Sequence, residues 1–333
     1  MLVCGLPKFA KMVAIMIATI ITHPSCHLHK MPEGHPECPE RLDAINNQLL
    51  ASGIDGLLYH REAPAATDEQ LLRVHSADYL QRIKSAVPTA IESLVNFSDE
   101  VYLSPNTLLA ARHAAGAATL GVDMLMAGET DAVFCNVRPA GHHAERSRAM
   151  GFCIFNNIAV AAAHALEAYQ LERVAIVDFD VHHGNGTQNI FYNEPRVLFC
   201  SSFQHPFYPC TEIDNVPGNI VNVPLPASCR SDGFRAGINE FWLPALTRFK
   251  PQLIFISAGF DAHIDDDMSS MSLVEQDFVW VTKQLRDFVD QSQTSENSRE
   301  HCKGLISSLE GGYDLPALGR CAMMHIKALA KLG

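Results

Sequence analysis

Four short apolar runs in this chain each end in a cluster of glycine and polar residues, and that pattern limits its fold more than any other feature. The runs at 132–137, 174–179, 253–257 and 305–309 read as buried strands. They lead respectively into Arg138-Pro-Ala-Gly-His142-His143, Asp178-Phe-Asp180-Val-His182-His183-Gly-Asn185, Gly259-Phe-Asp261-Ala-His263 and Glu310-Gly311-Gly312-Tyr313. Further strands are expected at 13–22, 197–201 and 220–223. Apolar residues at three-to-four spacing predict helices over 39–51, 68–85, 105–127, 157–169, 232–249, 273–289 and 316–331. The polar stretch 290–301 reads as a solvated loop. Strands alternating with helices imply a single α/β domain with a mostly parallel central sheet and helices on both faces. Ligands of such sheets bind outside the carboxyl ends of the strands, so the four clusters are expected to share one crevice.

Composition narrows the class. At 333 residues with 47% hydrophobic and 19% charged, the chain is an ordinary globular sequence, which excludes disorder and coiled coil. A net charge of -12 argues against direct nucleic-acid binding but leaves room for a basic substrate such as a lysine-bearing tail. The ten dispersed cysteines form no C-x-x-C pair and read as reduced thiols of a cytoplasmic protein. The apolar run 12–21 is too short to span a bilayer, and no small-x-small cleavage site follows it. It is expected to be the first strand, leaving 1–11 as an extension and 12–333 as the single domain, with no membrane partner.

Residues two apart on an extended segment point the same way, so Asp178, Asp180 and His182 share a face. Asp180 and His182 make a pair of metal ligands, and Asp261 is the natural third. Three protein ligands with a position left open is the plan of a catalytic metal centre. Helix capping explains one such aspartate taken alone, but not two histidines beside two aspartates. The tandem His142-His143 offers a general base and acid, with Asp178 and Asn185 each able to accept from one ring. Tyr313, after two glycines, is placed to donate to an oxyanion, although a Gly-Gly-Tyr turn by itself would more simply pack its aromatic ring.

These residues resemble the zinc-dependent histone deacetylase family, which includes acetoin-utilisation proteins and bacterial acetylpolyamine amidohydrolases. The resemblance runs from His23 to the C-terminus, through HPECPERL from His35, LSPNT from Leu103, RPAGHHA, GFCIFNN from Gly151, DFDVHHGNGTQ, SAGFDAH and EGGYD. Asn185 and the GNGTQ run are similar to the class II branch. The resemblance implies an arginase/deacetylase fold and hydrolysis of an acyl-lysine protein or a small N-acyl amine. It implies one Zn²⁺ per chain on Asp180, His182 and Asp261. His143 would be base and then acid, His142 with Asp178 would orient the water, and Tyr313 would hold the oxyanion. Gly151, Phe152, Tyr208 and Gly311 would form the substrate tunnel, with Met268 at its mouth. Structural K⁺ or Na⁺ is implied at Asp178, Asp180, His182, Ser201 and Ser202, and a second at the backbone of Phe191, Glu194 and Val197. An oligomer is compatible with the family.

Two segments depart from the family pattern. The tunnel wall reads Phe207-Tyr208-Pro-Cys210-Thr-Glu212, where relatives more often carry glycines beside the threonine. Asp265-Asp266-Asp267-Met268 stands where many relatives have Gly-Asp-Pro-Leu. Polyamine-selective members place an acidic residue near Met268, so methionine there favours an acyl-lysine substrate while the adjacent carboxylates keep polyamines in view. Two other functions compete. Asp261-Ala-His263-Ile-Asp265 spells the D-x-H-x-D of a binuclear manganese ureohydrolase, but that scheme has no use for the tandem histidines or Tyr313. A silent acyl-lysine binding protein would be expected to lack a ligand, base or oxyanion donor, and none is missing.

Overall fold

The computed structural model describes residues 18–332 apart from 99, 212 and 214. Eight strands form one sheet: β1 (Thr19–Thr22), β2 (Tyr59–Glu62), β5 (Ala132–Cys135), β6 (Val174–Asp178), β7 (Val197–Gln204), β8 (Ile220–Leu225), β9 (Ile254–Ala258) and β10 (Leu305–Leu309). β3 (Val95–Ser98) and β4 (Val101–Leu103) pair as a separate antiparallel hairpin. The large sheet runs β2-β1-β5-β10-β9-β6-β7-β8, and every named pair in it is parallel. All residues of β5, β6, β9 and β10 are buried, as continuous apolar strands covered on both faces must be.

The helices are α1 (Glu40–Ser52), α2 (Asp68–Leu72), α3 (Ala77–Ala86), α4 (Thr107–Ala127), α5 (Asn157–Ala168), α6 (Asn185–Phe191), α7 (Ser231–Gly237), α8 (Leu243–Phe249), α9 (Glu275–Ser292) and α10 (Leu315–Leu329). Alternation along the strands assigns them to faces. α4 lies against Ile306 and Val133 at its Gly121, whereas His325 of α10 reaches Ser307 and Phe134, the next residues along the same two strands. α5 packs beside α4, and α1 and α9 pack beside α10. Both faces are therefore covered. Phe179, Phe260, Phe278 and His325 form a ring cluster inside the α10 side.

The sequence expectations hold with local corrections. The first strand occupies only Thr19–Thr22, and the remainder of the 13–22 run up to residue 17, like the 1–11 extension, lies outside the described residues. The helix expected over 68–85 is two helices, because Ser76 turns to extended backbone and caps α3 by accepting from Tyr79 N. The expected helix at 232–249 is α7 and α8 joined through a wide turn at Ile238–Trp242. Pro244 has no N–H to give the preceding turn, and a widened turn accommodates that. α9 continues to Ser292, and the loop expected from 290 contains a short turn at Ser298–Glu300. The nine described cysteines are all free. No helix among the described residues is long and apolar enough to cross a membrane.

Candidate active site

The four strands that carry the polar clusters are neighbours in space, in the order β5-β10-β9-β6. The chain crosses from β5 to β6 early and fills the two positions between them last, which brings distant segments side by side at the carboxyl ends. Buried polar bonds then fix the loops. Glu310 accepts from Gly141 N at 2.7 Å and His142 N at 3.1 Å through Oε2, and from Ser257 Oγ at 3.0 Å through Oε1. One carboxylate thus ties β10 to β5 and β9. Burial pushes Glu310 up to about 7, against the pull of His142.

Beneath this, Arg138 and Glu37 form a fully buried pair, with Arg138 Nη2 at 2.7 Å from Glu37 Oε2. The guanidinium also donates to the carbonyls of Cys26 and His29. Burial opposes ionisation of Glu37, but Arg138 outweighs it and holds the carboxyl at about 2. Arg41 continues the network. It donates to Glu310 O and Gly312 O, each at 2.6 Å, and its guanidinium lies 4.8 Å from the centre of the Tyr313 ring. Asp266 holds the other side of that loop, accepting from Tyr313 N at 2.6 Å and Asp314 N at 3.0 Å through one oxygen. Its second oxygen accepts from Met268 N at 3.0 Å.

Asp180, His182 and Asp261 converge on one point. Their ligand atoms lie within 4.8 Å of one another, all buried, and they are the one such group among the described residues. His182 Nδ1 is 3.1 Å from Asp180 Oδ1 and 3.2 Å from Asp261 Oδ2. Asp261 Oδ2 is buried with no hydrogen bond of its own, while Asp261 Oδ1 accepts from Val181 N at 3.0 Å. An unpaired carboxylate oxygen facing an imidazole nitrogen and a second carboxylate is a donor set for a divalent cation, and it fits zinc. Burial opposes charge on His182, yet the two carboxylates push it up to about 10, a measure of how strongly this point attracts positive charge. None of the three side chains caps a helix: α6 begins at Gly184 without a side-chain cap.

The tandem histidines are unlike each other. His142 Nδ1 lies 3.0 Å from Asp178 Oδ2 and its Nε2 is 3.8 Å from Asp180. Burial works against its protonation, but Asp180 and Asp178 push it up to about 10. His143 Nδ1 lies 2.7 Å from Asn185 Oδ1, a neutral partner. Burial, with His142 and His182 nearby, holds His143 well below its ordinary value. Asn185 donates through Nδ2 to Glu145 Oε1 at 2.9 Å, which fixes its oxygen toward His143. His143 Nδ1 must therefore carry the proton, leaving Nε2 as the free acceptor.

A cavity of about 160 Å³ opens onto these groups, lined by Glu100, His143, Gly151, Phe152, His182, Phe207, Tyr208, Met268 and Tyr313. Gly151 has φ +54, and a Cβ there would stand 2.4 Å from His143 Cδ2, so only glycine leaves the ring its place. Phe207 stacks on His182 at 5.5 Å, and Tyr208 meets His143 edge-on at 5.2 Å. Phe152 stands edge-on to Tyr313 at 6.1 Å. Gly311 is not in this wall. It lies beneath the ligands, its N–H donating to Asp180 Oδ2 at 2.8 Å. Burial, against the pull of Arg41, holds the Tyr313 phenol well above its ordinary value, so the hydroxyl keeps its proton.

Glu100 in the wall and Asn96 and Tyr102 at the mouth carried no signal in the sequence, whereas Phe207 and His35 stood in quoted segments without a role assigned to either side chain. The acidic run beside Met268 is largely engaged elsewhere, Asp266 as above and Asp265 with Arg320 at 3.0 Å. His263 and Asp265 lie 3.7 Å apart, outside the three-ligand group. Near the base of the site, Ser201 Oγ is 3.2 Å from His183 Nδ1, and Ser202 Oγ is buried with no hydrogen bond. The carbonyls of Phe191, Glu194 and Val197 all accept from Asn219 Nδ2. A separate cleft of about 800 Å³ between Arg73, Arg146, Glu167 and Arg196 holds none of the strand-end clusters.

Comparison with known proteins agrees with this geometry. The histone deacetylase domain model matches residues 35–329. A histone deacetylase-like amidohydrolase of Pseudomonas aeruginosa is 38% identical over 305 residues, covering 89% of this chain and 77% of that protein. The polyamine deacetylase HDAC10 of Mus musculus is 36% identical over 313 residues, covering 90% of this chain but 45% of the longer mouse protein. Among solved structures, the crystal structure of the HDA15 HD domain superposes with a TM-score of 0.86 at 31% identity, covering 96% of this chain and 89% of that one.

Proposed function

The chain belongs to the histone deacetylase family, and from that premise we propose that it is a zinc-dependent hydrolase removing acetyl or other short acyl groups from N-acylated lysine side chains. The observation that carries this reading is the narrow, aromatic-walled cavity that ends on Asp180, His182 and Asp261 beside a neutral His143. Its volume of about 160 Å³ and its aromatic lining suit an unbranched apolar stem with a small acyl head.

Asp180, His182 and Asp261 would hold the zinc, which when bound supplies Lewis-acid polarisation of the acyl carbonyl and acidifies water. His143 Nε2 takes the proton of the attacking water and passes it to the leaving amine, with Asn185 holding the tautomer from the other side of the ring. His142, bonded to Asp178, orients that water. The Tyr313 hydroxyl donates to the oxyanion of the tetrahedral intermediate. Phe152, Tyr208 and Gly151 enclose the stem, Met268 flanks its exit, and Gly311 gives the ligands their room. A structural K⁺ or Na⁺ at Asp178, Asp180, His182, Ser201 and Ser202 is supported by the buried, unbonded Ser202 hydroxyl.

One observation favours a second reading, a small cationic N-acyl amine such as an acetylated polyamine. Glu100 lines both the cavity and its mouth, where no lysine or arginine accompanies it. The zinc-loaded protein should be assayed on acetyl-lysine peptides, longer acyl-lysines, N-acetylputrescine and N-acetylspermidine, with and without a hydroxamate. Preference for peptides supports the acyl-lysine reading. Preference for the polyamines, reduced up to about fivefold by Glu100→Gln, supports the second. Inactivity on every substrate with zinc bound would sink both.

A further inference from the structure

Three backbone carbonyls turn toward a single point where α6 gives way to β7. Phe191 O, Glu194 O and Val197 O accept from Asn219 Nδ2 at 2.9, 3.2 and 3.2 Å. Converging carbonyl oxygens are the donor set of a hard monovalent cation, and the family resemblance puts one on these residues. Two of them also accept a backbone N–H, Phe191 O from Glu194 N at 3.0 Å and Glu194 O from Val197 N at 3.1 Å. Here a side-chain amide already satisfies them. Its two hydrogens carry partial positive charge and are shared among three acceptors, the task an ion would otherwise perform.

We propose that the Asn219 amide replaces the second structural cation, so that this chain closes the α6–β7 turn without an ion. An ion held by the same three oxygens would have its centre where Nδ2 lies, so amide and ion exclude each other. The amide is also firmly delivered. Asn219 is buried, its N–H donates to Val216 O at 3.0 Å, and its carbonyl accepts from Phe199 N at 2.7 Å on β7. The backbone bonds fix the root of the side chain at the edge of the sheet, within reach of the turn. This inference concerns the cation content of the fold and stands apart from the choice of substrate.

Thallium(I) soaked into crystals of the full chain and located by anomalous scattering tests the proposal. In the wild type no thallium is expected against the three carbonyls, whatever binds near Ser201 and Ser202. In Asn219→Ala a site should appear there. Its melting temperature should also rise in potassium chloride over tetramethylammonium chloride by more than the wild type's does. Thallium on these carbonyls in the wild type, with the amide swung aside, would overturn the proposal. So would a well-folded Asn219→Ala that binds no cation there, because the amide would then be replacing nothing. Should the alanine variant fail to fold, Asn219→Ser gives the same two outcomes.

Discussion

Replacing Gly311 with alanine tests the proposed metal site without touching any ligand. A Cβ built on Gly311 would stand 2.0 Å from Asp261 Oδ2 and 2.6 Å from Asp180 Oδ2. Ordinary contact is near 3.4 Å, so the Asp261 oxygen would have to retreat by about 1.4 Å. Neither carboxylate is free to do so. Asp261 is held through Val181 N, and Asp180 is held through Gly311 N and His182 N. Metal–ligand distances tolerate only about 0.2 Å. Displacement of this size should therefore empty the site or misplace its contents, and a misplacement of about 1 Å costs roughly a hundredfold in rate. Zinc content after dialysis, measured beside turnover and a thermal melt, should fall below about a tenth of an equivalent, with kcat/KM down about a hundredfold or more. A folded Gly311→Ala with full zinc and wild-type turnover would refute the placement of Asp180 and Asp261 as ligands.

Other variants separate the remaining roles. Tyr313→Phe should lower kcat by about a hundredfold to a thousandfold while zinc stays bound, and near-normal turnover would remove Tyr313 from the mechanism. His143→Ala should nearly abolish turnover with zinc retained, and substantial activity would reassign the base. Asp266→Asn turns an amide N–H toward backbone N–H donors that now meet a carboxylate, so kcat should fall with little change in KM. An unchanged kcat would show that the Tyr313 loop is fixed by Arg41 alone. His325 lies buried between Thr282 and Ser307, and burial lowers its folded value to about 3. Because the unfolded chain protonates first, this group's stability contribution is present above about pH 6.5 and is lost as pH falls toward 3. Relative to His325→Gln, the wild type should lose about 1.7 kcal/mol between pH 6.5 and pH 5 in chemical denaturation. A constant difference would show that the ring accepts a proton in the fold.

The central sheet and its crevice were legible because their signals are local. β5, β6, β9 and β10 are unbroken apolar runs, and each ends in residues that a plain strand end does not need. β2 was missed because Tyr-His-Arg-Glu is an exposed edge strand with no apolar face to announce it. The β3–β4 hairpin was missed for its shortness, and with it Glu100, which the hairpin turn carries to the cavity. Phe207 stood in the segment read as tunnel wall, but only the fold lays its ring on His182. Arg138 and Glu37 both sat in quoted motifs, but their pairing spans 101 residues and depends on β1 lying beside β5. Asn219 offered no signal at all, since its role lies in three carbonyls of another segment.

The central claim is that one divalent ion on Asp180, His182 and Asp261 supports amide hydrolysis. Its most direct test is titration of chelator-stripped protein with Zn²⁺ while following turnover of a fluorogenic acetyl-lysine peptide, with an acetylated polyamine assayed in parallel. Activity on at least one of them is predicted to rise linearly and to level off at one equivalent per chain, with Asp261→Asn showing neither tight binding nor recovery. Activity that survives the chelator, or that requires two equivalents of Mn²⁺, would contradict it.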